Sequence, residues 1–120
     1  MKLFEWLDIE GGKYRWCEFI PKKWYEYEVL SDESSGDYQG SVDLILAQPH
    51  YHKLEDKTVY SSYVYISYSY GSCSGCDAFE DLTDEEMHRE MESLSLELSS
   101  YDWDRFLERA TALKERLEKQ

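Results

Sequence analysis

The chain has 120 residues, with 26 acidic side chains against 13 basic ones and a net charge of −13, yet 42% of it is hydrophobic and 16% aromatic. That length fits one domain, residues 1–120, and so much apolar and aromatic content sets it apart from a chain kept disordered by its own charge. No stretch approaches the roughly 18 uninterrupted apolar residues of a membrane span. The negative excess also repels phosphate backbones and anionic lipid heads, so direct nucleic-acid binding and membrane docking are not expected, and residues 1–9 carry too many charges for a signal-peptide core, so a soluble intracellular chain is expected.

In chain order, residues 2–7 predict a short helix. Residues 13–20 predict a first strand, with Gly11 and Gly12 before it and Pro21 closing it. Tyr25, Tyr27 and Val29 alternate with Glu26, Glu28 and Leu30, and Val42, Leu44 and Leu46 alternate with Ser41, Asp43 and Ile45, the period of strands. Between them, SDESSGDYQG at 31–40 has the Ser, Asp and Gly of a hairpin loop. Gln48, Pro49 and His50 are expected to end the next strand before a polar link at 53–57. Residues 58–70 then place Tyr60, Val64, Ile66, Tyr68 and Tyr70 on one face of a further strand. Seven tyrosines here and at 25 and 27 exceed what one small core buries, so some should face outward and offer a surface for homodimerisation.

The C-terminal part changes period. Thr83 followed by Glu86 is a capping box, and Met87, Met91, Leu94 and Leu98 form one helical stripe. Ser99, Ser100 and Asp102 offer a new cap before a second stripe of Trp103, Phe106, Leu107, Ala110, Leu113 and Leu117. Lys114, Arg116 and Lys119 suit the negative end of that helix. The expected fold is therefore α+β, an antiparallel three- to four-stranded β-meander (13–70) packed on one face against a C-terminal α-helical hairpin (83–118).

Between sheet and helices lies YGSCSGCD at 70–77. Cys73 and Cys76 have the spacing of half a zinc site, for which only Cys17 or the His50 and His52 pair could complete the ligands. A redox CxxC is opposed by Asp77, Glu80 and Asp81, which raise a thiol pKa. The plainer reading is a turn with packed thiols and no cofactor, zinc through Cys73 and Cys76 being the alternative. Three cysteines, an odd number, argue for a reducing compartment. Together with DYQGSV at 37–42, the run YGSCSGCDAFE at 70–80 resembles a small protein family encoded by bacteriophages and other mobile elements, to which no activity or catalytic residue attaches. The resemblance implies a bacterial cytosol during infection or element transfer.

Most of the charge comes from residues 77–104, where Asp77, Glu80, Asp81, Asp84, Glu85, Glu86, Glu90, Glu92, Glu97, Asp102 and Asp104 face the single base Arg89. There is no GxSxG, P-loop, GxGxxG or HExxH to support an enzyme. The expected function is a non-enzymatic acidic binding protein. In the phage setting that means an inhibitor that lays those carboxylates along a basic nucleic-acid-binding surface of a host CRISPR or restriction effector. A zinc- or thiol-dependent regulator and an oligomeric phage accessory protein are the alternatives.

Overall fold

A computed structural model describes residues 1–36, 39–71, 79 and 81–119. The fold is α+β. Five antiparallel strands, β1 (Glu28–Asp32), β2 (Ser35–Gly36), β3 (Gly40–His52), β4 (Lys57–Tyr70) and β5 (Leu96–Ser99), form one sheet in the order β1-β3-β4-β5, with β2 paired to one end of β3. Among the described residues four helices accompany it: α1 (Leu3–Ile9), α2 (Asp84–Leu94), α3 (Ser100–Arg109) and α4 (Thr111–Glu118).

The register of β3 on β4 pairs Val42 with Tyr68, Leu44 with Ile66 and Leu46 with Val64, and between these it pairs Ile45 with Tyr65 and Ala47 with Tyr63. Because side chains alternate, each set lies on its own face. The first set joins Leu3, Trp6, Cys17, Ile20, Trp24, Phe79, Met87 and Met91 in a continuous buried core. The second set lies under α3, where Trp103, 1% exposed, stacks on Tyr63 at 5.1 Å between ring centroids. Both faces are thus covered, not one: α1, the 3-10 turns that follow it and α2 take the first, and α3 with α4 takes the second. The tyrosine-rich face is roofed by α3, so Tyr63 and Tyr65 are half-buried, and among the described residues the large outward tyrosines are Tyr51 and Tyr101.

The first expected strand is absent. Residues 11–24 contain three short 3-10 turns, Gly11–Lys13, Cys17–Phe19 and Lys22–Trp24, and Cys17, Ile20 and Trp24 of this stretch point inward. Trp16 takes a left-handed φ of 72° there, and the Tyr68 hydroxyl holds the corner by donating to the Arg15 carbonyl at 2.6 Å. Of the expected 25–30 strand only Glu28 onward pairs, and its outer edge is met by the N-terminal residues: Leu3 N–H donates to the Tyr27 carbonyl and Val29 N–H to the Met1 carbonyl, each at 2.8 Å. The helical hairpin is also interrupted. Ser95 ends α2, and Leu96–Ser99 pairs with Ser62–Tyr65 as an edge strand, so Leu98 is a strand residue and Leu94 is exposed. The second stripe divides at Ala110 into α3 and α4.

β3 does not stop at Pro49. It runs to His52, with a register shift between Ala47 and Pro49 that leaves Ser61 and Ser62 of β4 opposite Gln48; both hydroxyls reach the Gln48 Oε1, at 3.2 and 3.3 Å. A bulge is where a strand tolerates proline. The extra residue moves Tyr60 to the second face, edge-on to Tyr63, and away from Val64 and Ile66. Beyond the bulge β3 and β4 continue as a two-stranded ribbon with residues 50–58 exposed. At the other end Gly36 has φ 107°, and a Cβ there would collide with the Gln39 carbonyl oxygen, so this close turn requires glycine.

A polar strut ties α4 to the sheet. Arg116, its side chain 7% exposed, donates through Nε to Ser31 and through Nη1 to the Asp43 carboxylate, and through Nη2 to the Asp43 carbonyl at 3.1 Å. Replacing Arg116 with Ala should cost about 2–3 kcal/mol in urea unfolding, because Asp43 keeps a partly buried charge without its partner. Lys23→Ala, which breaks an ion pair to Glu92 more than half exposed on both sides, should cost no more than about 0.5 kcal/mol.

Candidate functional site

The acidic segment does not form one straight ridge. Its first part is α2, which starts where Thr83 Oγ1 accepts the Glu86 N–H and the Glu86 carboxylate accepts the Thr83 N–H at 3.2 Å and hydroxyl at 2.9 Å. These bonds hold the Glu86 carboxyl below its ordinary value. Met87 and Met91 pin α2 to the first face, which turns Asp84 and Glu85 outward in the first turn, where the helix dipole favours anions. Asp102 and Asp104 instead belong to α3 on the second face, and Glu97 lies on β5 between them. The carboxylates therefore wrap around the β5 edge of the sheet as a band, because β5 carries the chain from one face to the other. Asp77 and Glu80, expected at the head of this set, lie outside the described residues, as do Cys73, Cys76 and most of the YGSCSGCD run.

Several band members have structural employment. Glu92 pairs with Lys23 at 2.6 Å, Glu97 accepts the Trp24 indole N–H, and Asp102 accepts the Ser99 hydroxyl at 3.0 Å while its own N–H caps on Ser99. Asp81, Asp84, Glu85, Glu90 and Asp104 have no hydrogen-bonded or ionic partner among the described residues. These five are the carboxylates free to meet an outside cation. Asp81 precedes α2 with a left-handed φ of 66°.

Among the described residues no group of three or more His, Cys, Asp or Glu is placed to hold a metal ion. His50 and His52 stand exposed on the ribbon, His50 Nε2 lying 2.8 Å from the Ser61 hydroxyl, and His88 meets the Phe19 ring edge-on at 5.0 Å. Cys17 is a core residue. Its Sγ lies 3.3 Å from the Tyr68 hydroxyl, and burial pushes the thiol up to about 11 although that hydrogen bond pulls the other way. Burial also raises the Tyr68 hydroxyl far above its ordinary value.

Two features escape the sequence reading. One is a cavity of about 480 Å³ lined by Phe4, Leu7, Asp8, Gly11, Gly12, Cys17, Glu18 and Tyr25. The other is the ribbon, whose exposed Tyr51 and fully exposed Leu54 project beyond the core. The Gly11-Gly12 pair and the isolated leucine in a charged link are the faint signals for them. No helix among the described residues is long and apolar enough to cross a membrane.

Comparison with protein families, curated proteins and solved structures yields no match. What the chain can do must accordingly be argued from its surface and cavities.

The shift of Cys17 has a sign that can be checked. The unfolded thiol loses its proton near 9 and the folded one near 11, so the folded state holds the proton more tightly. The stability this contributes is fully present below pH 9 and disappears as pH rises to about 11. Urea stability should fall across that window, and Cys17→Ala should flatten the fall. Native protein treated with iodoacetamide at pH 8 should remain unlabelled at Cys17 by peptide mass mapping, and label once denatured.

Proposed function

We propose that the protein is a non-enzymatic binding module that presents its acidic band to a cationic surface of another macromolecule. The observation that carries this reading is the set Asp84, Glu85, Glu90 and Asp104, fixed on α2 and α3 around one sheet edge, with Asp81 in the turn before α2, all left unpaired among the described residues. An anionic surface on a rigid frame steers association with a positive groove, at rates that fall as salt rises. A curved band suits a groove or cleft more than a flat surface, since α2 and α3 flank the β5 edge from opposite sides.

The narrower form of the proposal is an inhibitor of a host defence nucleoprotein of the CRISPR or restriction type, acting in the bacterial cytosol by occupying the surface that would hold nucleic acid. The YGSCSGCD resemblance supports that setting. Because β5 interrupts the expected helical hairpin, the carboxylates are presented as a wrapped band, and the residues that matter change with it. Glu86 caps α2 and Glu92 pairs with Lys23, so both are poor probes of binding.

The test is displacement of labelled DNA from a panel of purified CRISPR and restriction effectors. The protein should displace DNA from at least one of them, with potency falling as salt rises from 50 to 300 mM, on the order of a decade or more. The variant Glu85→Gln, Glu90→Gln, Asp104→Asn should lose roughly tenfold or more with unchanged thermal stability. Displacement from none, or displacement indifferent to salt and to this variant, rejects the charge-based reading.

A further inference from the structure

We propose that the cavity between α1 and the turn at Cys17–Phe19 is a receptor for an arginine side chain carried by a protein partner. The site is lined by none of the acidic band's residues and does not depend on that reading.

The walls are apolar and aromatic. Leu7 and the neutral Cys17 thiol supply apolar lining, and Tyr25 is half-buried beside them. Phe4, 42% exposed, is one of the few large apolar side chains the protein leaves in water. Two carboxylates, Asp8 and Glu18, complete the lining, both exposed and both without a hydrogen-bonded or ionic partner among the described residues. Among the described residues no lysine or arginine of the chain is paired with Asp8 or Glu18, and three of the nearby lysines are committed elsewhere: Lys13 to Glu10 at 2.6 Å, Lys2 to Glu26 at 3.0 Å and Lys23 to Glu92 at 2.6 Å. The cavity therefore combines unmet negative charge with an aromatic and aliphatic surface.

That combination selects a guanidinium over an ammonium. A guanidinium is weakly hydrated, stacks on aromatic faces, and has five donors with which to meet two carboxylates, whereas an ammonium is a compact, strongly hydrated point charge. The volume of about 480 Å³ accommodates the three-carbon stem against Leu7 as well as the head. Free small ligands are normally enclosed over most of their surface. Here Phe4, Asp8, Gly12 and Glu18 are all exposed, so the cleft is half open, and that suits a side chain delivered from another protein's surface. The space beside Gly12 is open, since a Cβ placed there meets nothing within 4 Å.

The experiment is an amide-resolved NMR titration of the full chain with Nα-acetyl-arginine-N-methylamide, its citrulline counterpart, the lysine counterpart and agmatine. The arginine probe should give saturable shifts at Leu7, Asp8, Gly11, Gly12 and Glu18, with a dissociation constant on the order of millimolar. The uncharged citrulline probe and the lysine probe should each bind roughly tenfold more weakly. Asp8→Asn combined with Glu18→Gln should abolish the shifts, as should Gly12→Leu, while the amides of residues 42–47 stay in place and report an intact sheet. Absence of saturable shifts at tens of millimolar, or citrulline or lysine binding as well as arginine, overturns the proposal. Agmatine binding tighter than the blocked arginine overturns the assignment to a protein-borne side chain in favour of a free amine. These readouts need no effector and no DNA, so their failure is distinguishable from failure of the acidic-band reading.

Discussion

Burial of β3 on both of its faces is the constraint from which the rest of the structure follows. Val42, Leu44 and Leu46 point one way, Ile45 and Ala47 the other, and all five are excluded from solvent. A strand of this kind needs a layer on each side. The N-terminal helix, the 3-10 turns and α2 provide one layer and α3 with α4 the other, with β5 as the point where the chain changes sides. Asp43 interrupts the second face with a charge, and Arg116 answers it from α4, so the polar strut is a consequence of the same two-sided burial.

Local chemistry was legible where a residue pattern has only one structural meaning. Thr83 with Glu86, and Ser99 ahead of Asp102, mark helix starts, and both caps form. The strands around 42–46 and 62–70 follow their alternation. Legibility failed where one pattern fits two periods. Leu94 and Leu98 extend the Met87–Met91 helical stripe, while Leu96, Glu97 and Leu98 also alternate as a strand, and pairing with Ser62–Tyr65 decided the matter. Residues 13–20 read as a strand because they are aromatic and bounded by glycine and proline. The inward residues Cys17 and Ile20 are three apart, however, and it is the Tyr68 hydroxyl, more than 50 positions away, that fixes the corner. The Ser61–Ser62 bulge has no signature beyond the proline that follows Gln48 on the facing strand, yet it alone reassigns Tyr60.

The charge total was plain from the sequence, but its shape was not. Acidic residues close together between 77 and 104 could have made a line along one side of a helical hairpin; the edge strand folds that line around the sheet. Some of the carboxylates then serve the fold itself, as caps or as partners of Lys23 and Trp24, and only a subset remains available. The cavity by α1 was invisible for a related reason. Its lining comes from positions 4, 7, 8 and 11, which have helical spacing, and from 12, 17, 18 and 25, which do not, and the two sets meet only because the 3-10 turns fold back beside α1.

The long β3–β4 pair is anchored unevenly along its length. Its inner half lies between β1 and β5 under helices on each side, whereas its outer half, past the Ser61–Ser62 bulge, is a lone ribbon with few buried contacts, the kind of element that opens at the lowest free energy. One continuous pair of strands thus contains a rigid root and a compliant blade, hinged where the backbone has one residue too many. Force applied at Leu54 would bend the blade at that hinge before it disturbed the root.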